Sequence, residues 1–192
     1  MWLVALPSLV SGALSVLGSL RLHHLGAGAT EIGLTFLVAA VIEAGVGPLA
    51  GRASDRRGRL GPICAGLCAA TVLLSAFGLA QAALGAAAVV VGIAVAVEML
   101  WAPAMAWLSE VLERRGDAPG LAGALINLAW SGGQIAGSAG SGRLSQATGE
   151  ITPMLVAAGL SLATLLALWA RSVRPTGARL RARGSGRPRT PV

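Results

Sequence analysis

Two apolar runs, at about 32–50 and 60–80, are separated by Gly51-Arg52-Ala53-Ser54-Asp55-Arg56-Arg57-Gly58-Arg59, nine residues that hold four arginines and one aspartate. A helix needs about 20 residues to cross roughly 30 Å of hydrocarbon, and each flanking run has about that length. Moving arginine across a bilayer is costly, and short loops keep their basic residues on the cytoplasmic side. The stretch is therefore expected to be a loop at the inner membrane surface, with Gly51 and Gly58 permitting a tight turn there. Its charge orients the whole chain.

Working outward, further apolar runs fall at about 2–20, 84–108, 119–142 and 152–171. With the first two they make six predicted spans. The composition agrees: 55% of the 192 residues are hydrophobic, 12% are charged and mean hydropathy is +0.73, which excludes a soluble globular domain. The expected fold is all-α and integral to the membrane, with residues 1–171 as one transmembrane domain and 172–192 as a disordered basic tail. Met1-Trp2-Leu3-Val4 has no positive segment ahead of its apolar run, so the first run reads as a true span rather than a signal peptide.

The net charge of +7 would suggest nucleic acid in a soluble chain. Here its location argues otherwise. All 15 basic residues are arginine. Thirteen fall in 52–59, at Arg114 and Arg115, or between Arg171 and Arg189, and only Arg21 and Arg143 fall on the other predicted side. That asymmetry puts both termini in the cytoplasm of a multi-pass plasma-membrane protein. The partner it predicts is the anionic lipid bilayer, not nucleic acid.

The pattern Gly51, Asp55, Arg56, Gly58, Arg59 between the second and third spans resembles the signature loop of the major facilitator superfamily of secondary transporters, although Leu60 stands where the family often has another basic residue. The segment Asn127-Leu128-Ala129-Trp130-Ser131-Gly132-Gly133-Gln134, with Gly137, resembles the penultimate helix in the carboxy-terminal half of proton-driven drug-efflux members. The resemblance covers residues 1 to about 171. It implies secondary active transport of a small molecule, expected as proton-coupled efflux by an antiporter. It also implies that these six spans are one half, built as a three-plus-three inverted repeat, of a twelve-span fold. A second six-helix half or a second copy is the partner then required. A non-transporting remnant or membrane interaction module is the alternative.

An internal repeat is also legible. Gly51, Arg52, Ser54 and Gly58 align with Gly142, Arg143, Ser145 and Gly149 at an offset of 91. Gly47 and Gly51 in the second span, and Gly133 and Gly137 in the fifth, form G-x-x-x-G pairs that predict close approach to neighbouring helices. Spans two and five are expected as the packing centre.

Acidic residues within a span are candidate functional groups, because burying them in hydrocarbon is costly. Glu43 and Glu98 are the two here, read either as proton-coupling groups or as interhelical hydrogen-bonding partners of Asn127 or Gln134. Glu43 is favoured for coupling because it shares a face with Gly47 and aligns with Gln134 under the offset. Asn127, Ser131, Gln134, Ser138 and Ser141 recur at spacings of four, three, four and three, a polar stripe that either lines a substrate path or packs by hydrogen bonding. Asp55 is read as a structural and conformational group of the loop.

Other chemistry finds less footing. Cys64 and Cys68 have no third ligand nearby, so no metal or cofactor is expected. Ser131 would need a histidine base for serine-protease chemistry. Both histidines, His23 and His24, fall in the first predicted outer loop, where solvation is the plain reading and pH sensing the sharper one. No enzyme activity is expected.

Overall fold

The computed structural model describes residues 2–115 and 119–173. The tail predicted from 172 onward lies, beyond Val173, outside the described residues. Among the described residues six long helices run in order: α1 (Trp2–His24), α2 (Ala29–Arg57), α3 (Leu60–Ala76), α4 (Ala83–Arg114), α5 (Pro119–Thr148) and α6 (Ile151–Val173), with one 3-10 turn at Phe77–Leu79 after α3. Five of them are long and apolar enough to cross a membrane. The helix outside that group is α5, whose glycines and polar stripe lower its hydropathy.

Most of these helices extend past the bounds predicted from hydropathy. At 32 residues α4 is about 48 Å long, well beyond the roughly 30 Å of hydrocarbon. Apolar runs mark only what lies in lipid, whereas a helix continues until something stops it. The arginine stretch shows the same effect and corrects the loop reading: Gly51 to Arg57 is the last two turns of α2. Arginine is a good helix former and nothing before Gly58 breaks the ladder. The turn itself is Gly58, with φ of 87°, a conformation open to glycine. Its counterpart at an offset of 91, Gly149 at the end of α5, has φ of 85°.

Side-chain contacts identify the two ends of the bundle. At one end Arg59, from the turn after α2, pairs with Glu110 near the end of α4 at 2.5 Å, and Glu110 also pairs with Arg114. At the opposite end Arg21 donates from Nη2 to the carbonyls of Ala80 (2.8 Å) and Gly78 (3.4 Å), and His24 Nδ1 meets Glu150 Oε1. Thus His23 and His24 close α1 rather than sit in a loop, and His24 is engaged by the α5–α6 connection.

The main core is built by α1, α3, α4 and α6, around Leu6, Leu17, Ile63, Leu67, Ile93 and Met154. Among the described residues, α2 buries only Ala39 in this cluster, and α5 buries none. The expectation that the second and fifth spans are the packing centre is therefore corrected. A glycine pair brings one face of a helix close to one neighbour, but the centre of a bundle needs apolar side chains buried on several faces. Instead α5 lies along α1, and α2 lies along α4.

Candidate functional site: a carboxyl-lined cleft among four helices

Residues from α1, α2, α4 and α5 enclose a cavity of about 280 Å³. Helical spacing explains which side chains reach it. On α4, Ala94, Val97, Glu98 and Trp101 recur at i, i+3, i+4 and i+7; on α2, Phe36, Ala39 and Glu43 recur at spacings of three and four. Ser11, Leu14 and Ser15 face it from α1, and Trp130 and Gln134 from α5. Each helix presents one stripe to a shared space.

Both intramembrane carboxyls, Glu43 and Glu98, open into this cleft and are half-buried. Their partners in the sequence reading fare differently. Gln134 lines the same cleft, but Asn127 is exposed and donates from Nδ2 to the Gly123 carbonyl of its own helix at 3.1 Å. Glu98 lies over Gly47, where an added Cβ would come within 2.6 Å of Oε1. Gly47 is thus the gap on α2 into which α4 places a carboxyl.

The glycines of α5 serve another purpose. A Cβ on Gly133 would come within 2.8 Å of the Ala5 carbonyl oxygen, and one on Gly137 would overlap the Leu9 carbonyl. On the α1 side, a Cβ on Gly12 would stand 2.5 Å from the Gln134 carbonyl oxygen and 2.9 Å from its Oε1. Three glycines let α1 and α5 meet backbone to backbone, and this crossing seats Gln134 beside the cleft. Gly51, by contrast, has open space where a Cβ would be. Of the pair at 47 and 51, only the first marks a close approach.

The polar stripe of α5 does not face one way. Ser131 and Asn127 are exposed, Ser141 is buried and Ser138 is half-buried. Ser138 donates to the Gln134 carbonyl at 2.7 Å and Ser141 to the Ser138 carbonyl at 3.3 Å, so these hydroxyls are satisfied within their own helix. From that stripe, only Gln134 lines the cleft.

Several lining residues were missed in the sequence: Ser11, Ser15, Phe36, Trp101 and Trp130. Trp101 and Trp130 stack at a tilt of 56° with ring centroids 4.4 Å apart, joining α4 to α5 across the cavity. The signal for Trp101 was present in its i+3 spacing from Glu98. Without the helix neighbours, however, no periodicity says which stripe of an all-apolar helix faces inward.

In the arginine stretch, Arg59 makes the pair with Glu110 described above, while Asp55 and Arg56 are exposed. Among the described residues Asp55 has no ion pair. Ser54, the residue before Asp55 in the helix, is buried. The tie between this end of α2 and α4 therefore runs through Arg59.

No curated protein and no solved structure matches the chain significantly. The sequence model of the Major Facilitator Superfamily, a family of membrane transporters, matches residues 1–191. With several membrane-length apolar helices and a match over nearly its entire length, the chain belongs to the major facilitator superfamily.

Proposed function

We propose that this chain carries out proton-coupled efflux of a small molecule, with Glu43 and Glu98 as the proton-exchanging groups and the cleft as one wall of the substrate path. The observation that carries this reading is the meeting of two carboxyls from different helices in one cavity, beside Gln134 and a tryptophan pair. Carboxyls placed in a membrane-embedded space are costly, and functional pathways are where such residues concentrate. The resemblance of the fifth helix to drug-efflux members supports the direction of transport.

In this reading all six helices span the plasma membrane, with the end bearing Arg59, Arg114 and Arg171 in the cytoplasm and α5 shielded by its neighbours despite its polarity. The arrangement is read as an inverted repeat. Exchanging α1 with α4 and α2 with α5 converts the α1–α5 crossing into the α4–α2 crossing, and the offset of 91 relates Gly58 to Gly149 and Glu43 to Gln134. A second six-helix bundle, from another half or another copy, completes the path opposite the cleft. The exposed apolar side chains of α2, among them Leu37, Val41 and Leu49, are available to meet it or lipid.

The test uses everted membrane vesicles containing the chain with its completing bundle, an imposed proton gradient and ethidium as the probe. Glu43→Gln is expected to abolish gradient-driven uptake into the vesicles while leaving downhill exchange. Gradient-driven uptake at the unmodified rate in Glu43→Gln would remove that carboxyl from coupling, and loss in Glu98→Gln alone would move coupling to α4. Robust flux from a strictly monomeric preparation would count against the second bundle. A correctly inserted assembly with no flux of any kind would favour the non-transporting alternative.

A further inference from the structure

At the arginine-rich end, on another part of the bundle from the cleft, the side chains of Trp2, Leu3, Trp107, Leu160, Thr164 and Arg171 help enclose a cavity of about 420 Å³. Two helix contacts of the bundle differ in closeness. Where α3 meets α4, a Cβ on Gly66 would lie 2.9 Å from the Ala96 carbonyl oxygen and one on Gly92 would lie 3.1 Å from Leu73, so the two helices close on each other. Between α6 and α1 contact is sparse, and Gly159, the glycine of α6, faces open space. A wedge is left open, bridged by the bond from Trp2 Nε1 to Thr164 Oγ1 at 2.9 Å.

The wedge is apolar along its walls and basic at its mouth. Among the described residues Arg171 has no carboxylate partner, and Glu110, which shares a neighbouring pocket with Trp107, is already shared by Arg59 and Arg114. The sequence continues past Arg171 with six more arginines up to Arg189. Tryptophan is favoured at the membrane interface, where its ring lies in the apolar layer and its N–H finds a polar partner, as Trp2 does here. Apolar walls, interfacial tryptophans and an unopposed cation match one kind of occupant.

We propose that this wedge holds an anionic phospholipid, its acyl chain between α1 and α6 and its phosphate on Arg171. Lipid then fills at this crossing the kind of gap that close approach at Gly66 and Gly92 removes between α3 and α4. The inference is independent of the transport reading, and its readout is bound lipid rather than flux.

The experiment is native mass spectrometry of the full chain extracted in mild detergent from vesicles of equal phosphatidylglycerol and phosphatidylcholine. One phosphatidylglycerol is expected to persist through stepwise removal of detergent. Arg171→Gln should lower the preference for phosphatidylglycerol over phosphatidylcholine by about five-fold, the scale of one arginine at an anionic surface. Ala163→Trp, which fills the wedge, should abolish the retained lipid, while Leu166→Trp on an exposed part of the same helix should keep it. Equal retention of both lipids by the unmodified chain would overturn the proposal, as would unchanged retention in Ala163→Trp or a lipid-free dimer. Where Ala163→Trp does not fold, the lipid preference of Arg171→Gln decides.

Discussion

Where α5 lies along α1 and where α2 lies along α4, the glycines act in opposite ways. In the first, Gly12, Gly133 and Gly137 are spent on backbone proximity, and no Cβ fits at any of them. In the second, Gly47 admits the end of the Glu98 side chain, and a Cβ at Gly51 would meet only open space. The same motif thus gives a tight seam on one side and a pocket for a carboxyl on the other. A small residue creates space, and what the partner helix carries opposite decides whether the space closes or becomes part of a site.

Three substitutions separate these roles, in order of expected effect. Gly137→Ala forces a methyl group into the Leu9 carbonyl, a backbone atom that moves only if the helix moves, so a loss of about 1 to 3 kcal/mol is expected. Thermal unfolding in detergent measures it, with Gly51→Ala as the unaffected control. A destabilisation of Gly51→Ala equal to that of Gly137→Ala would erase the distinction between the seams.

Gly47→Ala places its methyl group against Glu98 Oε1, the far end of a flexible side chain, so the fold should lose less than in Gly137→Ala. What should change is the position of the carboxyl. Proton-coupled flux is expected to fall while thermal stability stays nearly constant, and a fall in both together would make Gly47 another packing glycine.

Smallest is the effect of Arg59→Gln. Its pair with Glu110 joins the α2–α3 turn to α4, but both side chains are partly exposed, 28% and 35%, and Glu110 keeps Arg114. At most about 1 kcal/mol is expected, shrinking as salt is raised. A loss above that, insensitive to salt, would show that the turn carries packing as well as charge.

The legible parts of this protein were those written in local chemistry. Hydropathy found the helices but stopped short of their ends at Arg57 and Arg114, because it measures transfer to lipid and is blind to a helix continuing into water. Glycine spacing found Gly133 and Gly137 yet also flagged Gly51, since spacing cannot reveal whether a neighbour is present. Glu43, Glu98 and Gln134 stood out as polar residues in apolar runs, whereas Trp101 and Phe36, which line the same cavity, look like any other membrane side chain.

The sequence by itself determined that the chain is helical and of membrane composition, and which residues are costly enough in lipid to be functional candidates. Those properties depend on transfer free energies and helical period, which each segment carries alone. Only the tertiary structure decided that α1 and α4 stand at the core while α2 and α5 flank them, that Glu43 and Glu98 share one cleft, and that α6 leaves a wedge beside α1. In a helix that is apolar on every side the hydrophobic pattern selects no face. The choice falls to shape: where glycine lets backbones meet, where a large side chain holds them apart, and which neighbour is there to receive it.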